Sequence, residues 1–285
     1  MFARHNLAWL SAEGWRQVLA AAAADHVQAI TAWQRADWPL VVRRADVDQA
    51  PGEVALGLAL PPRPDDGRKL RIPCRVHASG VWHCAAPLPL AQLVAQPVAN
   101  LVTQPVGQPV GQPIGKPAGQ PTAQPIAQAI GQPVAQPIGQ PVAQLAAHLT
   151  AHSANIPRPW RSALASLAAD AAGQGIALHV YGSAALQVLT GQGYLRDTSD
   201  IDLLVQPRDR AQLDVALALL CSHANALPLD GEIVFPGGRA VAWKEWAAAC
   251  RGAAGTRVLV KEMEGVSLVR PDVLLATLEE ATCLN

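Results

Sequence analysis

The chain carries Tyr181-Gly182-Ser183 and, a short segment later, Ser199-Asp200-Ile201-Asp202-Leu203-Leu204-Val205. Ile176 to Tyr181 reads as a strand, Ser183 to Leu189 as the first turns of a helix, and the second stretch as a strand with two carboxylates at its mouth. Successive side chains on a strand point to opposite faces, so Asp200 and Asp202 are expected to share one. Two carboxylates that close repel each other, and a divalent cation is their natural neutraliser. Carboxylate oxygens suit hard ions such as Mg²⁺ (or Mn²⁺), which keep several waters and are completed by substrate phosphates. Asp200 and Asp202 are therefore the expected metal ligands, and the substrate is expected to be phosphorylated.

The Gly182-Ser183 turn would supply the other half of a phosphate site. Free backbone N–H groups and the positive end of a helix dipole face an anion there. Gly182 permits close approach to the backbone, and Ser183 can cap the helix or donate its hydroxyl to a phosphate oxygen. Alone, a Gly-Ser turn is ordinary capping and an Asp-x-Asp is ordinarily a solvated strand edge. Their succession, with Leu203-Leu204-Val205 following at once, places the carboxylates at the mouth of an apolar strand.

The flanking sequence fits an α/β arrangement, or more loosely α+β, with a mixed sheet and flanking helices. Trp160 to Ala172 has helical spacing, with Leu164, Leu167 and Ala168 on one stripe, and Arg208 to His223 does so with Leu213, Leu217 and Leu220. A metal-assisted phosphoryl transfer commonly uses a third carboxylate, and Asp230 and Glu232 are the next candidates, before the apolar Ile233-Val234-Phe235. Glu232 lies deeper in that strand and is the preferred catalytic candidate, the bland alternative being a surface acid. Gly237-Gly238 predicts a hairpin turn into Arg239 to Trp243. Lys261, after Val258-Leu259-Val260, and Arg196, just before the carboxylates, are candidates for binding substrate phosphate. A solvated ion pair of Lys261 with Glu262 is the competing reading.

These residues resemble a known group. Gly-Ser, a helix and Ser-Asp-x-Asp-Leu-x-Val are similar to the nucleotidyltransferase superfamily related to DNA polymerase beta, although the spacer from Ser183 to Asp200 is longer than in its compact members. Leu189-Thr190-Gly191 and Tyr194-Leu195 narrow the resemblance to the holo-acyl-carrier-protein synthases of malonate decarboxylase, or phosphoribosyl-dephospho-CoA transferases. Arg4-His5, Trp38-Pro39-Leu40-Val41-Val42-Arg43-Arg44 and Gly57-Leu58-Ala59-Leu60-Pro61 look like that branch too. The resemblance implies a 2′-(5″-triphosphoribosyl)-3′-dephospho-CoA donor and, as acceptor, a serine of the apo acyl carrier protein of malonate decarboxylase. It implies attack on the phosphate nearest the ribose, with pyrophosphate released. The superfamily more often has Asp than Glu at the third acidic position. Two rivals stand beside this reading: transfer of AMP from ATP by the same site, and a non-catalytic interaction module, against which the intact Gly182, Ser183, Asp200 and Asp202 argue.

The rest of the 285 residues divides in three. Residues 1–94 read as a small mixed domain that could bind donor or carrier protein. A helix is expected from Ala12 to Gln34, and strands near Pro39 to Arg44, Val54 to Leu60 and Arg68 to Val76. Arg68, Lys69, Arg71 and Arg75 would make a basic strand, read first as a solvated face and second as a phosphate contact. Residues 95–157 repeat a four-residue unit such as Gln104-Pro105-Val106-Gly107, with Lys116 as the sole Lys, Arg, Asp or Glu, and read as a disordered or polyproline II linker. Residues 158–285 are the expected catalytic domain.

Formal charge is zero overall, and +2, +1 and −3 across the three segments, so no part is basic enough to point to nucleic acid. Five cysteines without a C-x-x-C pair speak against a disulfide framework or a zinc knuckle. The absence of a signal-peptide core and of a long apolar run makes no membrane and a cytoplasmic location the expectation.

Overall fold

The structure is a computed structural model that describes residues 2–94, 156–252 and 255–283. The expected linker thus lies outside the described residues, apart from Ile156 and Pro157. In chain order the elements are β1 (Leu7–Leu10), α1 (Ala12–Ala20), α2 (Val27–Arg35), β2 (Leu40–Val42), β3 (Glu53–Ala59), β4 (Arg71–His77), β5 (Val81–Ala85), β6 (Leu88–Pro89) and α3 (Leu90–Val94). Then come α4 (Arg158–Gly173), β7 (Leu178–Val180), α5 (Gly182–Thr190), β8 (Ile201–Val205), α6 (Arg210–His223), β9 (Leu229–Phe235), β10 (Arg239–Ala242), α7 (Trp243–Arg251), β11 (Val258–Lys261), β12 (Val266–Val269) and α8 (Pro271–Cys283).

Two sheets result, in an α+β fold. The first runs β4-β3-β2-β1-β5 and is antiparallel throughout. The second runs β12-β11-β10-β9-β8-β7-β6 and contains one parallel pair, β8 with β9, joined by the crossover helix α6. A parallel pair needs such a crossover, whereas antiparallel neighbours close through short turns. The turn between β9 and β10 shows this: Gly237 and Gly238 hold positive φ, and Arg239 lies opposite Phe235. The second sheet takes its edge strand β6 from residues just after the first sheet, and α3 packs on α4.

The two sheets share their packing. In β1 all four side chains are buried: Leu7 and Trp9 join the core of the second sheet, while Ala8 and Leu10 join that of the first. Period-two alternation explains the division, because opposite faces of one strand meet different cores. Reciprocally, Leu186 and Tyr194 from the second unit pack into the first core, and the Tyr194 hydroxyl donates to the Ala59 carbonyl at 2.8 Å.

The single helix expected from Ala12 to Gln34 is two helices, separated at Ala21–His26. No glycine or proline breaks it. Trp15 and Val18 on α1 and Ile30 and Trp33 on α2 all bury in the first core, and the break lets α2 fold back against α1. Tertiary packing overrides the alanine-rich propensity there. On α6 the buried stripe is Leu213, Ala216, Leu219 and Leu220, with Leu217 only partly covered.

Candidate functional site

The site lies where β8, β9 and the start of α5 meet the first sheet. Gly182 opens α5 with φ near +65°, and a Cβ placed on it would sit 2.3 Å from Asp202 Oδ2. The space expected above this glycine for a phosphate is thus taken, in part, by the Asp202 carboxylate. The Tyr181 N–H donates to the Asp202 carbonyl at 3.1 Å, pinning the turn to β8. No side chain caps α5, so its first N–H groups have no partner from a capping side chain.

Asp200 is exposed, just before β8, and Asp202 is half-buried within its first turn of ladder. The register then sets the third carboxylate. Asp202 pairs with Asp230 across the parallel ladder, and Leu204 pairs with Glu232. Neighbours in register on adjacent strands point to the same face, so Asp230 stands abreast of Asp202. The approach is permitted by Gly231, opposite Leu203, where a Cβ would lie 1.9 Å from the Leu203 carbonyl oxygen.

The electrostatics follow from this crowding. Burial, reinforced by the charges of Asp230, Asp200 and Glu232 against a lesser relief from Lys69, pushes the Asp202 carboxyl up to about 6. Glu232 is more deeply buried but faces the opposite company. Its Oε1 accepts from Arg4 at 3.1 Å and from Lys261 at 2.9 Å, and its Oε2 meets His5 Nε2 at 3.2 Å. Desolvation alone would raise its pKa, yet the hydrogen bonds from His5 and Lys261 and the Arg4 charge together hold it well below the usual carboxylate range. The His5 ring also lies 4.1 Å from that of Tyr181, and its backbone is held at φ 69° by a bond from its N–H to the Val42 carbonyl. Burial and the surrounding carboxylates push the Tyr181 phenol upward, so it remains neutral.

The cations came out differently from the sequence expectations. Lys69, in the loop before β4, reaches across from the first sheet and donates to Ser183 Oγ at 2.5 Å. Its partial burial, followed by the charge of Arg71, lowers its pKa, while Asp202 and Asp200 work the other way. The expected basic strand therefore divides: Lys69 enters the site, whereas Arg75 pairs with Asp46 at 2.7 Å and with Asp48. Arg196 donates to the Arg63 carbonyl at 2.5 Å and its N–H to Ser199 Oγ, so it fastens the loop before Asp200 to the first unit. Lys261 is engaged by Glu232, not by Glu262, which pairs with Arg239.

The structure thus brings together Asp200, Asp202, Gly182 and Ser183, and adds Asp230 and Lys69. It places Glu232 and Lys261 in a neighbouring ion-pair cluster. Asp230 was visible as an acid two residues before Glu232, but only the register shows which of them faces Asp202. Lys69 carried no local signal that separated it from Arg68 or Arg71.

The donor set suits a hard divalent ion: it consists of carboxylate oxygens, and burial, with neighbouring carboxylates adding to it, makes Asp202 keep its proton unusually well. Among the described residues no three His, Cys, Asp or Glu side chains converge closely enough to enclose an ion by themselves. An ion held here would share its ligands with substrate and water, which is the habit of Mg²⁺.

Comparison with known proteins agrees with both halves of the chain. The family model for the phosphoribosyl-dephospho-CoA transferase MdcG C-terminal domain matches residues 144–272, and that for its N-terminal domain matches residues 3–87. A phosphoribosyl-dephospho-CoA transferase of Xanthomonas campestris pv. campestris (strain 8004) is 28% identical over 271 residues, covering 94% of each chain. One of Bradyrhizobium diazoefficiens is 29% identical over 271 residues, or 93% of this chain and 89% of the relative. One of Pseudomonas putida (strain GB-1) is 38% identical over 117 residues, 40% of this chain and 53% of the relative. No solved structure matches the chain.

Proposed function

The chain belongs to the phosphoribosyl-dephospho-CoA transferase family, and on that premise we propose that it transfers the prosthetic group of 2′-(5″-triphosphoribosyl)-3′-dephospho-CoA to a serine of the malonate decarboxylase acyl carrier protein. The observation that carries the site chemistry is the under-compensated group of Asp200, Asp202 and Asp230, whose nearest cations are Lys244, 3.9 Å from Asp230, and Lys69, beside the N-terminus of α5.

In this reading Asp200, Asp202 and Asp230 would hold Mg²⁺ or Mn²⁺ together with water and substrate, and the ion would supply charge neutralisation on the transferred phosphate and its leaving group. The protein's own groups do the rest. Ser183 and the first N–H groups of α5 hold the terminal phosphates, and Lys69 offsets the charge that builds on the departing pyrophosphate. The serine oxygen of the carrier attacks the phosphorus nearest the ribose. A new P–O bond forms, the P–O bond to pyrophosphate breaks, and the serine proton passes to an Asp230 carboxylate oxygen. Glu232 is not suited to take that proton, since Arg4 and Lys261 already occupy its Oε1 and the His5 ring its Oε2. It acts instead as a positioning residue that ties Arg4, His5 and Lys261 to β9.

The test is the intact mass of the apo carrier protein after incubation with this protein, Mg²⁺ and the triphosphoribosyl donor. The expected gain equals the donor less pyrophosphate, and it should vanish with EDTA or with Asp202→Asn. No gain from that donor, together with labelling from ATP, would keep a nucleotidyl-transfer site and remove the prosthetic-group reading. Among the described residues no helix is long and apolar enough to cross a membrane.

A further inference from the structure

Beside the carboxylates lies a second, oppositely charged feature that the chemistry above does not use. A cleft of about 330 Å³ opens between the end of β2 and the end of β11, lined by Arg4, His5, Arg43, Arg44, Asp46 and Lys261 among others. Backbone bonds from both units build its walls. His5 N–H donates to the Val42 carbonyl at 2.8 Å, and Ala45 N–H donates to the carbonyl of Met263, in the β11–β12 turn, at 2.8 Å.

Its charges do not cancel. Arg43 is committed to Asp46 and to the Leu56 carbonyl, and Arg4 and Lys261 share Glu232. Arg44 is exposed and has no side-chain partner among the described residues. Arg75, beside the cleft, shares Asp46 and also takes Asp48, so Arg4, Arg43, Arg44, Arg75 and Lys261 stand against Asp46, Asp48 and Glu232, a surplus of two positive charges. That is the charge of a diphosphate diester. The cleft is also too small for a helix of a protein partner, whose diameter is about 10–12 Å with side chains, whereas a diphosphate fits it. Its position completes the argument: Arg4, His5 and Lys261 reach from the cleft wall to Glu232, which stands two residues along β9 from Asp230, a separation of about 7 Å.

We propose that this cleft is the seat of the 5′-diphosphate of the dephospho-CoA moiety, so that the donor lies with its triphosphate on the carboxylate cluster and its second phosphate group under Arg44. The inference rests on the proposed reaction for its choice of ligand, but its test does not require turnover. Dephospho-CoA, which lacks the triphosphoribosyl arm, is titrated calorimetrically into the full-length protein, and adenosine is titrated as the neutral counterpart. Wild type should bind dephospho-CoA and not adenosine, Arg44→Glu should weaken that binding about tenfold or more, and Arg44→Lys should weaken it less. Arg44 is exposed, so its substitution leaves the core untouched, and circular dichroism of each variant checks the fold. Equal affinity of wild type and Arg44→Glu for dephospho-CoA, or a loss confined to binding of the carrier protein, would overturn the assignment. If dephospho-CoA binding depends on Arg44 but the intact-mass assay shows no transfer, the cleft stands and the reaction falls; transfer with Arg44-independent binding gives the converse.

Discussion

Asp202 and Glu232 stand two register positions apart on neighbouring strands, both are carboxylates withdrawn from water, and their pKa values move in opposite directions. Around Glu232 the protein has supplied Arg4, His5 and Lys261 from its own chain, and the negative charge is fully answered. Around Asp202 it has supplied two further aspartates and a single, partly offsetting lysine. Burial costs both groups similarly, so company decides the difference. A buried acid with its own counter-ions is structural cement; one left short of them, on the function proposed above, is where a cation would arrive with the substrate.

The sharpest way to break this comparison is to remove one carboxylate at a time. Asp202→Asn should lower transfer by about 10²–10³-fold or more, as loss of a preorganised charge-stabilising group does. In the absence of metal it should also raise the thermal midpoint by a few degrees, because it removes an unpaired charge. A lower midpoint than wild type would contradict the uncompensated reading. Glu232→Gln should do the reverse: it strands the cations Arg4 and Lys261 and should destabilise by about 2–3 kcal/mol, discounted from buried pairs because those partners are partly exposed. Denaturant titration reads this directly, and a stability equal to wild type would show that the cluster holds nothing together.

The same contrast predicts a pH signature of about 2 kcal/mol. Folded Asp202 keeps its proton to about 6, against an ordinary 3.8, so between these values the folded chain binds more protons than the unfolded one. Its contribution to stability is complete below pH 4 and is lost as pH rises through 6. Glu232 is lowered from its ordinary 4.5, so its contribution is complete above that pH and is lost as pH falls below it. Melting curves between pH 4.5 and 7 should therefore slope downward for metal-free wild type, less so for Asp202→Asn, and less so with Mg²⁺ present. A wild-type slope unaltered by Mg²⁺ would deny the ion that site. The smallest effect expected is that of Lys69→Met, about tenfold in kcat/KM with little change in stability, since partial burial already disfavours that charge. A large loss of stability instead would make Lys69 a strut between the sheets.

Much of the second unit was legible before the fold was seen. The strand, turn and helix around Tyr181–Thr190, the carboxylate strand and the Gly237-Gly238 hairpin follow from local patterns that packing leaves intact. Strand β1 was not, because Leu7-Ala8-Trp9-Leu10 is buried on both faces and shows no alternation of apolar with polar residues. The break between α1 and α2 was hidden for the opposite reason: alanines favour the helix that the core interrupts. The choice of Glu232 over Asp230 followed depth in the strand, which is a true property of Glu232 and the reason it needed counter-ions of its own.

The sequence by itself determined the residue types of the site, the order Gly182, Ser183, Asp200, Asp202 along the chain, and two sheets' worth of alternating strands. Only the tertiary structure decided which acid stands beside Asp202, that Lys69 serves the second unit from the first, and that Arg4 and His5 close on Glu232. The first is a choice of register between neighbouring strands, and the other two join residues 114 to 228 positions apart. Local patterns fix each strand's faces, but which strands meet, and in what register, is set by burial shared across the whole fold.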